Sequence, residues 1–223
     1  MASLHIASAR IALALLLCLG ASSASSEITP HWFRAPAISP NGATLVFTHG
    51  GDLYRVATAG GAATPLTLDD AWDGHPVWSP DGRWIAFASD RHGSQDVFVM
   101  PATGGEATRL TFHSSNDVPS AFTADGEEIY FASSRLDAPD NSMYPTGRMG
   151  ELYAVRTSGG TPRQVLTTPA VHARPDADGE RLVYQDVKGY ENSLRKHHVS
   201  SVTRDLWLLD LDSGEHTMLT TYA

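Results

Sequence analysis

Cysteine is nearly absent: Cys18 is the single one in 223 residues. A lone thiol excludes an intrachain disulfide framework. Cationic side chains are also scarce, 16 Lys plus Arg against 25 Asp plus Glu, for a formal net charge of −9. That balance argues against a general nucleic-acid binder, because phosphate contact needs clustered cations. Long apolar runs are missing too. Ile11 to Leu19 holds nine apolar residues, too few to anchor comfortably across a bilayer. Catalytic motifs are lacking: there is no G-x-S-x-G elbow, no H-E-x-x-H pair and no phosphate-binding loop. What remains is 42% apolar and 18% charged, the makeup of a globular protein. The 13 Pro and 19 Gly are spread along the chain, so turns should be frequent and long helices few.

Residues 1–26 read as a secretory signal peptide. Arg10 is their only formal charge, the apolar run follows it, and the small residues Gly20 to Ser26 (GASSASS) suit a signal peptidase. Cleavage is expected after Ala24 or Ser26. An uncleaved anchor is the rival reading, disfavoured by the short run. Leu17 stands before Cys18 where a lipoprotein signal needs a small residue. The mature chain, 27–223, would therefore lack cysteine and be periplasmic or secreted, with no membrane contact beyond its signal.

The mature chain is a repeat. Pro36 to Phe47 (PAISPNGATLVF), Pro76 to Phe87 (PVWSPDGRWIAF), Pro119 to Phe131 (PSAFTADGEEIYF) and Arg174 to Tyr184 (RPDADGERLVY) share one pattern. Its glycines, Gly42, Gly82, Gly126 and Gly179, are 40, 44 and 53 residues apart. A second pattern trails each copy: a strand, a Gly-bearing turn and Leu-Thr. It spans Asp52–Thr67, Asp96–Thr111, Glu151–Thr167 and Asp205–Thr220. Each copy then has four short strands. In the second they are Pro76–Ser79 (a), Trp84–Ser89 (b), Asp96–Met100 (c) and Thr108–Thr111 (d). Asp81-Gly82 is expected to close a two-residue a–b hairpin, and Gly104-Gly105 to serve likewise between c and d. Strand b is nearly all apolar, as in Ile129-Tyr130-Phe131-Ala132, which befits a strand covered on both faces. The expected class is all-β: a β-propeller of four-stranded blades, about four of them, near 32–67, 75–111, 118–167 and 172–220. A β-sandwich would not explain repeated identity at both turns.

The string Trp78-Ser79-Pro80-Asp81-Gly82, followed by Ile85-Ala86-Phe87-Ala88-Ser89-Asp90-Arg91, resembles the repeat of TolB-like propellers. It also resembles the amino-terminal propeller of tricorn-type serine peptidases. Gly189-Tyr190-Glu191, Arg195-Lys196-His197-His198 and Ser200 to Trp207 (SSVTRDLW) are similar to a segment typical of the latter. The resemblance covers about residues 30–223. It implies a longer protein with a six-bladed first propeller, a PDZ-like region and a downstream catalytic domain with a serine nucleophile. This chain would then be a non-catalytic portion that gates or delivers peptides or unfolded polypeptide for proteolysis. The alternative is a TolB-like periplasmic scaffold that docks proteins; a third is the propeller of a prolyl-oligopeptidase-like hydrolase. Four blades of six would leave an unpaired edge, a liability for aggregation.

No residue here matches a catalytic position of that family, and no cofactor or metal is expected. Ser39 and Ser79 precede Pro in turns with no base beside them, so neither reads as a nucleophile. Topology places the a–b and c–d turns at one end and the b–c and d–a connections at the other. Two b–c connections are long, Arg135–Gly150 and Gln185–Thr203, and long loops on a rigid scaffold carry function. The candidate peptide- or partner-binding face therefore gathers Asp69, Asp70, Trp72, Asp73, Tyr144, Arg148, Tyr190, Arg195, Lys196, His197 and His198. Arg195-Lys196 could clamp a carboxylate or be a solvated pair. His197 and His198, adjacent on a strand, would point apart, so one ion would not take both. Asp69, Asp70 and Asp73 fit no standard calcium loop and read as a solvated turn. Asp90-Arg91 reads as a b–c turn, and Trp78 and Trp84 as packing between blades. A homo-oligomer is compatible with the sequence.

Overall fold

The computed structural model describes residues 32–135, 149–187 and 204–220, all within the unit Trp32–Ala223. Among them there are strands and no helix. The first blade is β1 (Arg34–Ile38), β2 (Thr44–His49), β3 (Asp52–Ala57) and β4 (Thr64–Pro65). The second is β5 (Asp73–Trp78), β6 (Trp84–Ser89), β7 (Asp96–Pro101) and β8 (Thr108–Arg109). Each is a four-stranded antiparallel meander in chain order. Then come β9 (Asp117–Phe122), β10 (Glu128–Ser133), β11 (Glu151–Arg156), β12 (Arg163–Pro175), β13 (Arg181–Asp186), β14 (Leu206–Asp210) and β15 (His216–Met218). These seven share one sheet. The expected gap between the third and fourth copies is absent, because β12 runs straight through it. Its first half pairs with β11 up to Pro169, and its second half pairs with β13 from Ala170.

The turn chemistry explains the first pattern, with one correction. The a–b loop has four residues, not two. In the second blade Ser79 N–H donates to Trp84 O at 2.9 Å, enclosing Pro80-Asp81-Gly82-Arg83. Ser79 Oγ accepts from Trp84 N–H at 2.9 Å and donates to Asp81 Oδ1 at 2.6 Å. Only Gly82 is left-handed, with φ +71°, the conformation glycine adopts without a Cβ penalty. The Ser39–Thr44 and Thr123–Glu128 loops repeat the same hydroxyl bonds. These hydroxyls are occupied in holding turns. A true two-residue hairpin does occur, at the opposite end: Gly50-Gly51 joins the paired His49 and Asp52.

The second pattern also has a physical cause. Thr111 Oγ1 accepts the Val97 N–H at 2.9 Å and reaches Asp96 Oδ1 at 3.4 Å. Thr67 with Leu53 and Asp52, and Thr220 with Leu206 and Asp205, make the same two contacts. The Leu-Thr of each of these copies thus closes strand d onto strand c.

The core lies in the seams between blades. Successive side chains of a strand point to opposite faces. Ile85 and Phe87 of β6 enter a cluster with Val46 and Leu53 of the first blade. Ala86 enters another, with Ile129 and Phe131 of the third. Tyr130 then faces Leu182 and Tyr184 of the fourth. This is why the middle of strand b is apolar on both faces. Directly opposed aromatic residues on strands b and c mark all four copies: Phe47–Tyr54, Phe87–Phe98, Phe131–Tyr153 and Tyr184–Trp207. Cross-strand pairs of this kind stabilise a sheet by about 0.2–1 kcal/mol each. Trp78 ties two blades through Nε1–H to Ala37 O at 3.1 Å. Trp84, by contrast, is 42% exposed.

Candidate functional site

The candidate face is set by what anchors its loops. Asp73 opens β5 and is fully buried, so it does not belong with the exposed residues grouped with it above. The Arg91 guanidinium donates to both its oxygens, at 3.1 and 3.0 Å, and to Ser89 Oγ at 2.8 Å. Arg91 also stacks on the Phe98 ring at 4.6 Å. Asp117, Arg135, Ser133 and Tyr153 repeat the arrangement one blade on. Arg91 thus fastens strand a to strand b rather than simply turning the chain. Asp90 contributes too, accepting the Trp72 N–H at 2.7 Å. Asp69 accepts Ala71 N–H and lies 3.8 Å from Arg91, so it faces a resident cation. Asp69 and Asp70 are exposed, and Trp72 is half-buried. Tyr144, Arg148, Tyr190, Arg195, Lys196, His197 and His198 lie outside the described residues.

The second group of residues escaped the sequence reading. Every strand a carries a one-residue bulge against strand b. In three blades the bulge holds a non-glycine residue left-handed: Ala35 at φ 46°, His75 at 52° and His172 at 56°. Such geometry costs on the order of 1–3 kcal/mol per residue and clusters where function lies. The third blade has Pro119 at that place, whose ring fixes a negative φ, and its bulge falls at the next residue. There Ser120 Oγ donates to Tyr130 O at 3.2 Å. The signal was available. Ala35, His75 and His172 each stand seven residues before the turn glycine, where the third copy has Pro119.

The four a strands converge on a cavity of about 400 Å³. Pro36 and Ala37 of β1, Pro76 and Val77 of β5, Ser120 and Phe122 of β9, and Arg174 of β12 line it. His75 adjoins Pro76, and His172 precedes Arg174 by two residues on β12. Gly74 is a close approach: a Cβ there would overlap the Trp72 indole. That indole also meets the His75 ring edge-on at 5.7 Å. Burial first, then the charge of His172, hold the His75 pKa below its ordinary value. Burial, then Arg174 and Arg204, lower that of His172. Arg174 itself is lowered by desolvation within the concave rim. The rim therefore has imidazoles, an aromatic ring and guanidinium groups. It is suited to hydrogen bonding and charge recognition, and among the described residues it holds no nucleophile–base pair.

Residues 30–223 match the family model described as the tricorn protease N-terminal beta propeller domain. The chain belongs to that family. A stretch of 72 residues is 37% identical to tricorn protease homolog 1 of Streptomyces coelicolor, spanning 32% of this chain and 7% of that relative. The crystal structure of the tricorn protease superposes with a TM-score of 0.69 at 22% identity, over 87% of this chain and 19% of that one. TolB of Acinetobacter baumannii superposes at 0.63 with 17% identity, over 86% and 44%. The two structural likenesses show the propeller fold. The tricorn-family chain described here covers only a small part of the lengths of its peptidase relatives.

Proposed function

We propose that this chain is the non-catalytic propeller portion of an exported tricorn-like serine peptidase. It gates or delivers peptides, or unfolded polypeptide, to a catalytic domain elsewhere in the full protein. The observation that carries this is the family match over residues 30–223. The open axial cavity, with polar groups on a rigid scaffold, supports it. Residues 1–26 act as the cleaved export signal, and residues 27–223 as the propeller segment. The chemistry is serine acyl transfer performed outside this segment, so the segment alone hydrolyses nothing. The test is cleavage of fluorogenic peptides by the product of the full coding region, with and without a serine-directed inhibitor. Inhibitable cleavage by the full product and none by these 223 residues is the expected result. A full product that cleaves nothing refutes the peptidase reading and leaves a binding scaffold.

A further inference from the structure

We propose that the axial cavity binds carboxylate side chains of an acidic peptide segment, with Arg174 as the principal contact and His75, His172 and Arg204 around it. This rests on the reading of the propeller as a peptide-handling module and names the chemistry that module selects.

The charge distribution carries the argument. The protein is acidic overall, at −9, yet the charges that bear on the rim are cationic. Those acting on His172 are Arg174 and Arg204. The acids nearest in sequence to the rim are already engaged. Asp73 is held by Arg91, Asp176 by Arg181, and Asp205 accepts from the Thr220 hydroxyl. Arg174 forms no ion pair among the described residues; its one hydrogen bond, to Ala173 O, is long at 3.4 Å. An exposed guanidinium lining a concave site without a carboxylate partner is a donor fork open to an anion. A cationic metal is disfavoured by the same arginines, and the rim offers two imidazoles rather than a full ligand set. Either imidazole can donate a ring N–H to a carboxylate. His75 and His172, both left-handed, stand on β5 and β12, two of the strands whose residues line the cavity.

The probe is a fluorescein-labelled peptide, blocked at both termini, with alternating Gly and Glu, compared with its Gly and Gln counterpart by fluorescence anisotropy. The Glu peptide should bind about tenfold more tightly, the range expected for a charge-assisted contact at a partly open site. Arg174→Gln should remove the preference and Arg174→Lys should keep part of it. His172→Asn, which tolerates the left-handed backbone, should weaken Glu-peptide binding several-fold while melting as the parent does. Arg181→Gln, at the turn end of the fourth blade, should leave the preference intact. Equal binding of the two peptides overturns the proposal and leaves peptide handling standing. A preference that survives Arg174→Gln also overturns it. Binding of neither peptide overturns both.

Discussion

Replacing Arg91 with Met tests the claim that buried ion pairs hold the loop-bearing ends of the blades. Met keeps most of the apolar stem over Phe98 and removes the guanidinium. Asp73, fully buried, would lose both hydrogen bonds at 3.1 and 3.0 Å and its charge partner. Breaking one side of a buried pair costs about 3–5 kcal/mol, because a charge is left uncompensated. Arg91 retains 19% side-chain exposure, so water relieves part of this and about 3 kcal/mol is the expectation. For a unit of this size that lowers Tm by roughly 6–12 °C. The assay is urea unfolding followed by far-UV circular dichroism, with Asp73→Asn and the double variant completing a thermodynamic cycle. The double variant should be more stable than Arg91→Met alone, since no charge is stranded. The contrast is Arg163→Met: the Arg163 side chain is 55% exposed where it pairs with Glu128, and its loss should cost under about 1 kcal/mol. A loss below about 0.5 kcal/mol for Arg91→Met would refute the reasoning.

Thr111→Val removes the hydroxyl that accepts the Val97 N–H and contacts Asp96. It should cost about 1–3 kcal/mol, with Thr111→Ser recovering most of it in the same urea assay. Phe131→Ala empties a fully buried site in the seam between the second and third blades, and a loss of about 3–5 kcal/mol is expected. Asp81 should titrate at about 2 by NMR, held down first by the Ser79 hydroxyl and then by the Arg83 N–H and side chain. Its stabilising effect is complete above the usual carboxylate value of 3.8 and fades as pH falls toward 2; a normal titration contradicts the turn account. His75 and His172 have lowered pKa values, so the unfolded chain takes up protons first as pH falls through 6.5. Stability should drop from pH 7 to pH 5.5, and the joint variant His75→Gln, His172→Gln should flatten that dependence; an unchanged slope rejects it.

The blades were legible because propeller repeats are local. Each turn needs Gly at one left-handed position and an Asx or hydroxyl beside it, and each strand pair needs opposed aromatic residues. The turn glycine stands five residues before the strand-b aromatic in every copy, so Gly82 and Phe87 could be read directly, while the Phe87–Phe98 pairing could not. Loop length was less legible. Asp81 and Gly82 look like a two-residue hairpin, but the Ser79 hydroxyl stabilises a wider loop. The continuous β12 was hidden because a strand that changes blade shows no break in period. The Asp73–Arg91 pair escaped because a buried carboxylate and a surface one look alike in sequence. Only the matching 18-residue spacing of Asp117 and Arg135 marks it. His75 and His172 escaped for a different reason: a β-bulge turns one residue of a strand out of register, and the alternation rule does not locate it.

The central claim is that this propeller handles peptides through its axial cavity. The direct measurement is kcat/KM of the full coding product carrying Ala37→Trp, which fills the cavity from β1. A long peptide and a small ester would be compared as substrates. The account predicts that peptide cleavage falls at least severalfold while ester hydrolysis is unchanged. Equal rates for both substrates, with and without the tryptophan, would contradict it.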